Sequence, residues 1–143
     1  MIIPDLNLLL YAYNAHVPQH AAARIWWEAA VNGEELIGIP YEVGFGFVRI
    51  ATNRRLGAAA VSLETARRVV EQWHALPHTR PLVSSPRHFA RVMELMTAAM
   101  ASGGVLSDAV LAAYAIENRA QLCTNDSDFS RFPGLEWHNP LSV

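Results

Sequence analysis

Aspartate is scarce in this chain and unevenly placed. There are four, Asp5, Asp108, Asp126 and Asp128, against nine Glu scattered along the sequence. Each of the four falls where a predicted strand ends or a predicted helix starts. Asp5 follows the apolar run Met1-Ile2-Ile3-Pro4, and Asp126 closely follows Gln121-Leu122-Cys123. Glu42 and Asp108 lie in the first turns of helices expected to open at Pro40 and Ser107. Parallel strands joined by right-handed crossovers place all their carboxyl ends on one edge of a sheet, and ligands bind in the crevice outside that edge. If the helices of Glu42 and Asp108 begin there, Asp5, Glu42, Asp108 and Asp126 converge, with Asp128 beside them. Two like charges ~4 Å apart repel by about 4 kcal/mol at an effective dielectric near 20. Such a group takes up protons or binds a cation. With oxygen ligands only, the cation is Mg²⁺ or Mn²⁺ rather than zinc. The chemistry that follows is metal-assisted phosphodiester hydrolysis, in which the ion orients and activates a water and neutralises the leaving oxygen.

Each acid also has an ordinary structural role open to it. Asp5 before a helix is a common N-cap. Asp108 and Glu42 can complement a helix dipole, an effect of roughly 0.3–1 kcal/mol. Asp126-Ser127-Asp128 has the composition of an Asx-turn and cap. The joint pattern is more telling than any member, because one geometric rule selects all the positions.

The elements that must position these acids follow from apolar runs and breakers. A first short strand leads through Asp5 into a helix over Leu6–Tyr13, and a turn around Asn14, His16 and Pro18 leads to a second helix from Pro18 to about Val31. Leu36–Ile39 is a buried strand. Pro40 starts a helix carrying Phe45, Phe47, Val48 and Ile50, whose Gly44 and Gly46 each weaken it by about 1 kcal/mol and so point to close packing, including against another subunit. Thr52–Arg55 begins a polar loop. Ser62 caps a helix with Ala66, Val69, Val70 and Trp73 at i, i+3, i+4 and i+7, and Pro77 stops it. Pro81–Val83 is a weak strand. Ser85-Pro86 opens a helix with Phe89, Val92, Met93, Met96 and Met100 on a core face, and Ser102-Gly103-Gly104 breaks it. Ser107 caps a helix running to about Asn118, followed by a strand at Gln121–Cys123, the Thr124–Asp128 loop, a turn at Phe129–Phe132 and an edge strand at Leu135–Trp137. Short strands alternating with helices predict an α/β fold with a parallel sheet and helices on both faces.

Composition narrows the alternatives. A chain of 143 residues, 52% hydrophobic, makes one domain, residues 1–143, with a good core. All eleven basic residues are Arg, so a P-loop lysine, a Schiff base and a lysine general base are excluded. A net charge of −2 argues against a non-specific nucleic-acid coat, yet permits a local basic rim. Cys123 is the sole cysteine, which excludes an internal disulfide and a multi-cysteine zinc site. His16 and His20 straddle Pro18, and His74 and His78 straddle Pro77, so neither is a helical zinc pair. No apolar run approaches the ~18 residues of a membrane span and no signal peptide is apparent, so a cytoplasmic location is expected.

The sequence resembles PIN-domain proteins, and more narrowly the VapC ribonuclease toxins of bacterial toxin–antitoxin pairs. The resemblance is carried by Asp5-Leu6-Asn7-Leu8-Leu9-Leu10-Tyr11-Ala12, by Pro40 to Ile50 with the following Ala51-Thr52-Asn53, and above all by Asp108 to Ala115 running on to Leu122-Cys123-Thr124-Asn125-Asp126-Ser127-Asp128-Phe129. It implies a three-layer fold with a parallel sheet of four or five short strands, an acidic Mg²⁺ or Mn²⁺ pocket and endonucleolytic cleavage of RNA. The implied metal-binding acids are Asp5, Glu42, Asp108 and Asp126, with Asp128 auxiliary and Asn7 and Thr124 as supporting polar residues. Arg49, Arg54 and Arg55 are candidates for contacting RNA phosphates. A homodimer, a VapB-like antitoxin that plugs the site and inhibition of translation are further implications. The sequence departs from the pattern at Leu6, where a hydroxyl residue is frequent, and at Asn118-Arg119, where Gly often turns the chain. Two other functions stay open: a catalytically inactive PIN module that binds RNA or a protein, and a haloacid-dehalogenase-type phosphatase. The phosphatase normally needs a second Asp where Asn7 stands and usually a Lys that this chain lacks.

Overall fold

A computed structural model describes residues 1–142; Val143, the last residue of the expected domain, lies outside the described residues. Strands β1 (Ile2–Pro4), β2 (Ile37–Pro40), β3 (Thr79–Leu82), β4 (Gln121–Cys123) and β5 (Trp137–His138) form one sheet in the order β3-β2-β1-β4-β5. Every pairing is parallel, as the alternation of short apolar runs with helices requires. The chain winds outward through β2 and β3 on one side of β1, then returns to place β4 on the other. The winding thus reverses between β1 and β4, the position at which open α/β sheets form a ligand crevice. Register brings Pro4 opposite Cys123, so the residues that follow, Asp5 and Thr124, emerge side by side.

Helices α1 (Leu6–Tyr13), α2 (His20–Asn32), α3 (Tyr41–Ala51), α4 (Leu63–Ala75), α5 (His88–Ala98) and α6 (Leu106–Glu117) enclose the sheet. The core is built from β-strand residues Ile3, Ile37, Ile39 and Leu122 with Leu8 and Leu9 of α1, all fully buried. Trp73 joins Phe47 edge-on at 4.9 Å. The indole N–H groups of Trp27 and Trp73 both donate to the Tyr13 hydroxyl, at 3.3 and 2.9 Å.

Several expectations shift. On α5 the inward face is His88, Val92 and Leu95, with Met96 half-buried, whereas Phe89 and Met100 are 75% and 94% exposed and Met93 also faces out. Apolar residues occupy both sides of this helix, so the 3.6-residue period fits two frames, and the frame beginning at His88 is the one that packs. Met100 lies beyond the helix in left-handed backbone, φ 49°. β3 starts two residues before the expected strand, and its Pro81 is tolerated because β3 is an edge. β5 is an edge, as expected, but spans Trp137–His138 rather than Leu135–Trp137. α2 starts at His20 rather than Pro18, and α6 starts at Leu106, so Ser107 sits in its first turn instead of capping it. Ser62 does cap α4, accepting the Thr65 N–H at 3.1 Å.

The close packing expected at Gly44 and Gly46 is internal to the chain. A Cβ on Gly44 would stand 3.2 Å from the Val70 methyl of α4, and one on Gly46 2.7 Å from a Leu6 methyl of α1. No second subunit is needed to account for either glycine. Gly38 in β2 is tighter still, with Leu82, Met1 and Ile3 side chains 2.8, 2.9 and 3.3 Å from a Cβ. Gly38→Ala is therefore expected to destabilise by about 1–3 kcal/mol through overpacking, read as a lowered urea midpoint at unchanged slope.

Candidate active site

Because β1 ends at Pro4 and α1 begins at Leu6, Asp5 is the hinge between them, in extended backbone with φ −67° and ψ 143°. It is both helix cap and crevice acid, so the two roles weighed from sequence coexist in one side chain. Its Oδ1 accepts the Asn7 N–H at 3.4 Å, and its Oδ2 accepts the Thr124 hydroxyl at 2.6 Å. The Thr124 oxygen in turn accepts the Asp126 N–H at 3.0 Å, and Asp126 Oδ1 accepts the Asp128 N–H at 2.8 Å. A hydroxyl has one proton to give. Thr124 gives it to Asp5 and uses a lone pair on the next loop, tying the ends of β1 and β4 into one rail. Asp126 caps the 3₁₀ turn Ser127–Arg131.

A cavity of about 260 Å³ opens beside this rail, between α1, α3 and α6. Asp5, Asn7, Glu42, Arg49, Ser107, Asp108 and Tyr114 are among its lining residues. Asp108 arrives from the first turn of α6, and Glu42 from the first turn of α3, two residues beyond the end of β2. The sheet edge therefore does bring together acids that are far apart in sequence.

The charges of this group are felt in its titration. Burial raises the Asp5 carboxyl above its ordinary value, outweighing the Thr124 and backbone hydrogen bonds that favour the anion, and the Asp126 charge adds to the rise. Asp108 is raised by burial and then by Asp5, Asp126 and Asp128, with Arg131 pulling the other way. Asp5, Asp108, Asp126 and Asp128 thus share one field. Glu42 stands across the cavity, exposed to solvent, with Oε1 accepting the Tyr114 hydroxyl at 2.8 Å. Burial and this carboxylate push the Tyr114 phenol up to about 12, so it keeps its proton as a donor at any ordinary pH.

Among the described residues, no three His, Cys, Asp or Glu side chains close into a ready-made ion cage. Mg²⁺ dehydrates reluctantly, keeps several waters and is commonly held through one or two carboxylates plus substrate phosphate. The all-oxygen donor set and the mutual repulsion of Asp5 and Asp108 fit the same ion. Both features are unlike a structural zinc site, where four ligands close on the metal.

The remaining sequence candidates divide. Arg49 lines the cavity, whereas Arg54 and Arg55 are exposed on the 3₁₀ turn Arg54–Ala59 and do not. Asn7 contributes its backbone N–H to Asp5, and its exposed side chain lines the cavity. Sequence reasoning missed two residues. Tyr114 is the one hydroxyl-bearing side chain between Asp108 and Glu117 in an Ala-rich helix, a signal that was available. Arg131 donates from Nε to the Asp128 carbonyl at 2.9 Å and sits 3.3 Å from its carboxylate, a cation at the acidic centre with no pattern to announce it.

A five-stranded parallel sheet with an acidic crevice at its winding reversal is the architecture of a known class, and a PIN-domain profile matches residues 2–135, so the chain belongs to the PIN-domain family. Its relatives are more particular. Ribonuclease VapC33 of Mycobacterium tuberculosis is 42% identical over 141 residues, covering 99% of each chain. Ribonuclease VapC43 of the same organism is 37% identical over 141 residues, covering 99% of this chain and 96% of the other. In fold, the chain aligns with a structure of VapBC2 from Rickettsia felis bound to a promoter DNA fragment, at TM-score 0.70 and 22% identity over 97% of this chain and 98% of that one. It aligns as well with Mycobacterium tuberculosis VapC20, a sarcin–ricin-loop-cleaving toxin, at TM-score 0.69 and 17% identity over 95% and 99%. Family membership sets the phosphatase alternative aside. Among the described residues, no helix is long and apolar enough to cross a membrane.

Proposed function

We propose that this chain, a single domain over residues 1–143, is a Mg²⁺- or Mn²⁺-dependent endoribonuclease and the toxin of a VapBC-type pair, acting in the cytoplasm as a homodimer and restrained by a VapB-like antitoxin. The observation that carries the reading is the meeting of Asp5, Glu42 and Asp108 around one cavity, with Asp126 tied to Asp5 through Thr124, in a chain 42% identical to a VapC ribonuclease over 141 residues. Asp5 and Asp108 are the primary ion-holding carboxylates, Asp126 and Asp128 add negative charge at the rail, and Glu42 closes the far side. The bound ion supplies charge neutralisation and a more acidic water next to the scissile phosphate. Thr124 and the Asn7 backbone hold Asp5 in place from behind. Arg49, facing the same cavity, is placed to pair with a flanking phosphate, with Arg54 and Arg55 as outer contacts along the RNA.

Brief induction of the chain in a bacterial host, followed by mapping of new RNA 5′ ends, tests this reading. Discrete ends that are absent with Asp5→Asn are expected, together with arrested translation. A folded protein that produces no new ends in any cellular RNA would leave the inactive binding module in its place.

A further inference from the structure

We infer that Tyr114 is the positioning residue for Glu42: its phenol holds that carboxylate at the cavity, and the His88–Glu117 pair behind it locks the ring. The inference rests on the nuclease reading above. Tyr114 is 2% exposed, yet its hydroxyl reaches a carboxylate 72 positions away in sequence and on another helix. Glu42 is otherwise a solvent-exposed side chain with three rotatable bonds, and ordering it at the moment an ion binds costs side-chain entropy. Holding Oε1 at 2.8 Å removes that cost beforehand and leaves Oε2 for the ion or its water shell. Hydrogen bonds behind an ion-binding carboxylate orient it, and their loss typically weakens metal affinity 10–100-fold.

The ring itself is braced. The His88 imidazole lies on it, centroids 4.3 Å apart and planes at 38°. His88 Nδ1 stands 3.3 Å from Glu117 Oε2, which also accepts the Ser85 hydroxyl at 3.3 Å. Glu117 is one helical turn beyond Tyr114, so α6 carries both the phenol and the anchor of the ring that covers it. Buried His88, half-buried Glu117 and exposed Ser85 sit outside the acidic rail and have no part in the chemistry assigned to it.

Manganese binding to the whole, metal-free protein, followed through the EPR signal of free Mn²⁺, separates the possibilities. Tyr114→Phe keeps the ring and is expected to bind Mn²⁺ about 10-fold more weakly at nearly unchanged melting temperature. In a Glu42→Gln background the same change is expected to have no further effect, since the group it orients is no longer a carboxylate. His88→Ala, which spares the hydroxyl but frees the ring, is expected to give a smaller loss that likewise vanishes with Glu42→Gln. Wild-type affinity in Tyr114→Phe, or an equal loss in both backgrounds, overturns the positioning role. Wild-type protein that neither binds Mn²⁺ nor cuts RNA defeats the nuclease reading instead, so the two failures are distinct.

Discussion

RNA cleavage by Asp5→Asn and by Asp108→Asn is expected to fall at least about 100-fold, the lower range for removing one preorganised electrostatic group from a transition state, while each protein melts within a few degrees of wild type. The loss of rate follows from position: these are the two carboxylates whose titration is raised by burial and by other acids of the rail, so each is a place where positive charge is wanted. The stability half is the sharper one, because Asp5 is a helix cap and a hydrogen-bond acceptor as well. Asn has one acceptor oxygen where Asp has two, so it cannot serve both the Thr124 hydroxyl and the capping Asn7 N–H. Its amide oxygen can keep the short Thr124 bond at 2.6 Å, leaving the amide group against the already long Asn7 contact at 3.4 Å. What is lost there is offset by removing one negative charge from a cluster that repels itself. Single-turnover cleavage at saturating Mg²⁺ and calorimetry on the same samples measure both halves. Retained cleavage sinks the assignment, and a drop beyond about 10 °C, several kcal/mol for a chain of this length, shows a structural acid.

How far the sequence alone reached depends on which physical signal each residue carries. Asp5, Asp108 and Asp126 were legible because strand ends and helix starts are local patterns, and parallel topology then dictates a common edge. Glu42 was found by the same rule, but its partner was not: the Tyr114–Glu42 bond joins α6 to α3, and no local periodicity records such a contact. Arg131 was opaque for a related reason, since its importance lies in where the 3₁₀ turn aims it. Arg54 and Arg55 carry no positional signal of that kind: the turn at Arg54–Ala59 sets them outside the cavity that Arg49 lines, so a contact with RNA from them would fall beyond the acids. Gly44 and Gly46 announced close packing correctly but not its partner, because a missing Cβ says only that something approaches. On α5 the sequence was ambiguous: with Phe89, Met93 and Met100 apolar on the outer side, two helical frames score alike, and packing against Tyr114 and the rest of α6 selects the one that starts at His88.

Metal-free protein is expected to lose stability as pH rises above the ordinary carboxylate range, and Mg²⁺ is expected to restore stability at pH 7.5. Folding raises the Asp5 and Asp108 carboxyls above the ordinary value of 3.8. Between that value and the raised ones the native state binds more protons than the unfolded chain, so stability declines with rising pH. The contribution is whole below the ordinary carboxylate value and has gone once pH exceeds both raised values. Cys123, buried and pushed up to about 12, stays protonated throughout and takes no part. An ion that binds only the folded acids reverses the loss: at 100 times its dissociation constant it contributes about 2.7 kcal/mol, which for a chain of this size is roughly 5–10 °C in melting temperature. Because protons compete for the same oxygens, the Mg²⁺ increment should shrink as pH falls toward the carboxylate range, and in Asp108→Asn it should shrink at every pH. Scanning melts across pH with and without Mg²⁺, in wild type and Asp108→Asn, isolates these acids from other groups that titrate in the same range. A Mg²⁺ increment that is absent at pH 7.5, or undiminished in Asp108→Asn, would place any bound ion away from the rail, and the acids would then be caps and surface charges that happen to share an edge.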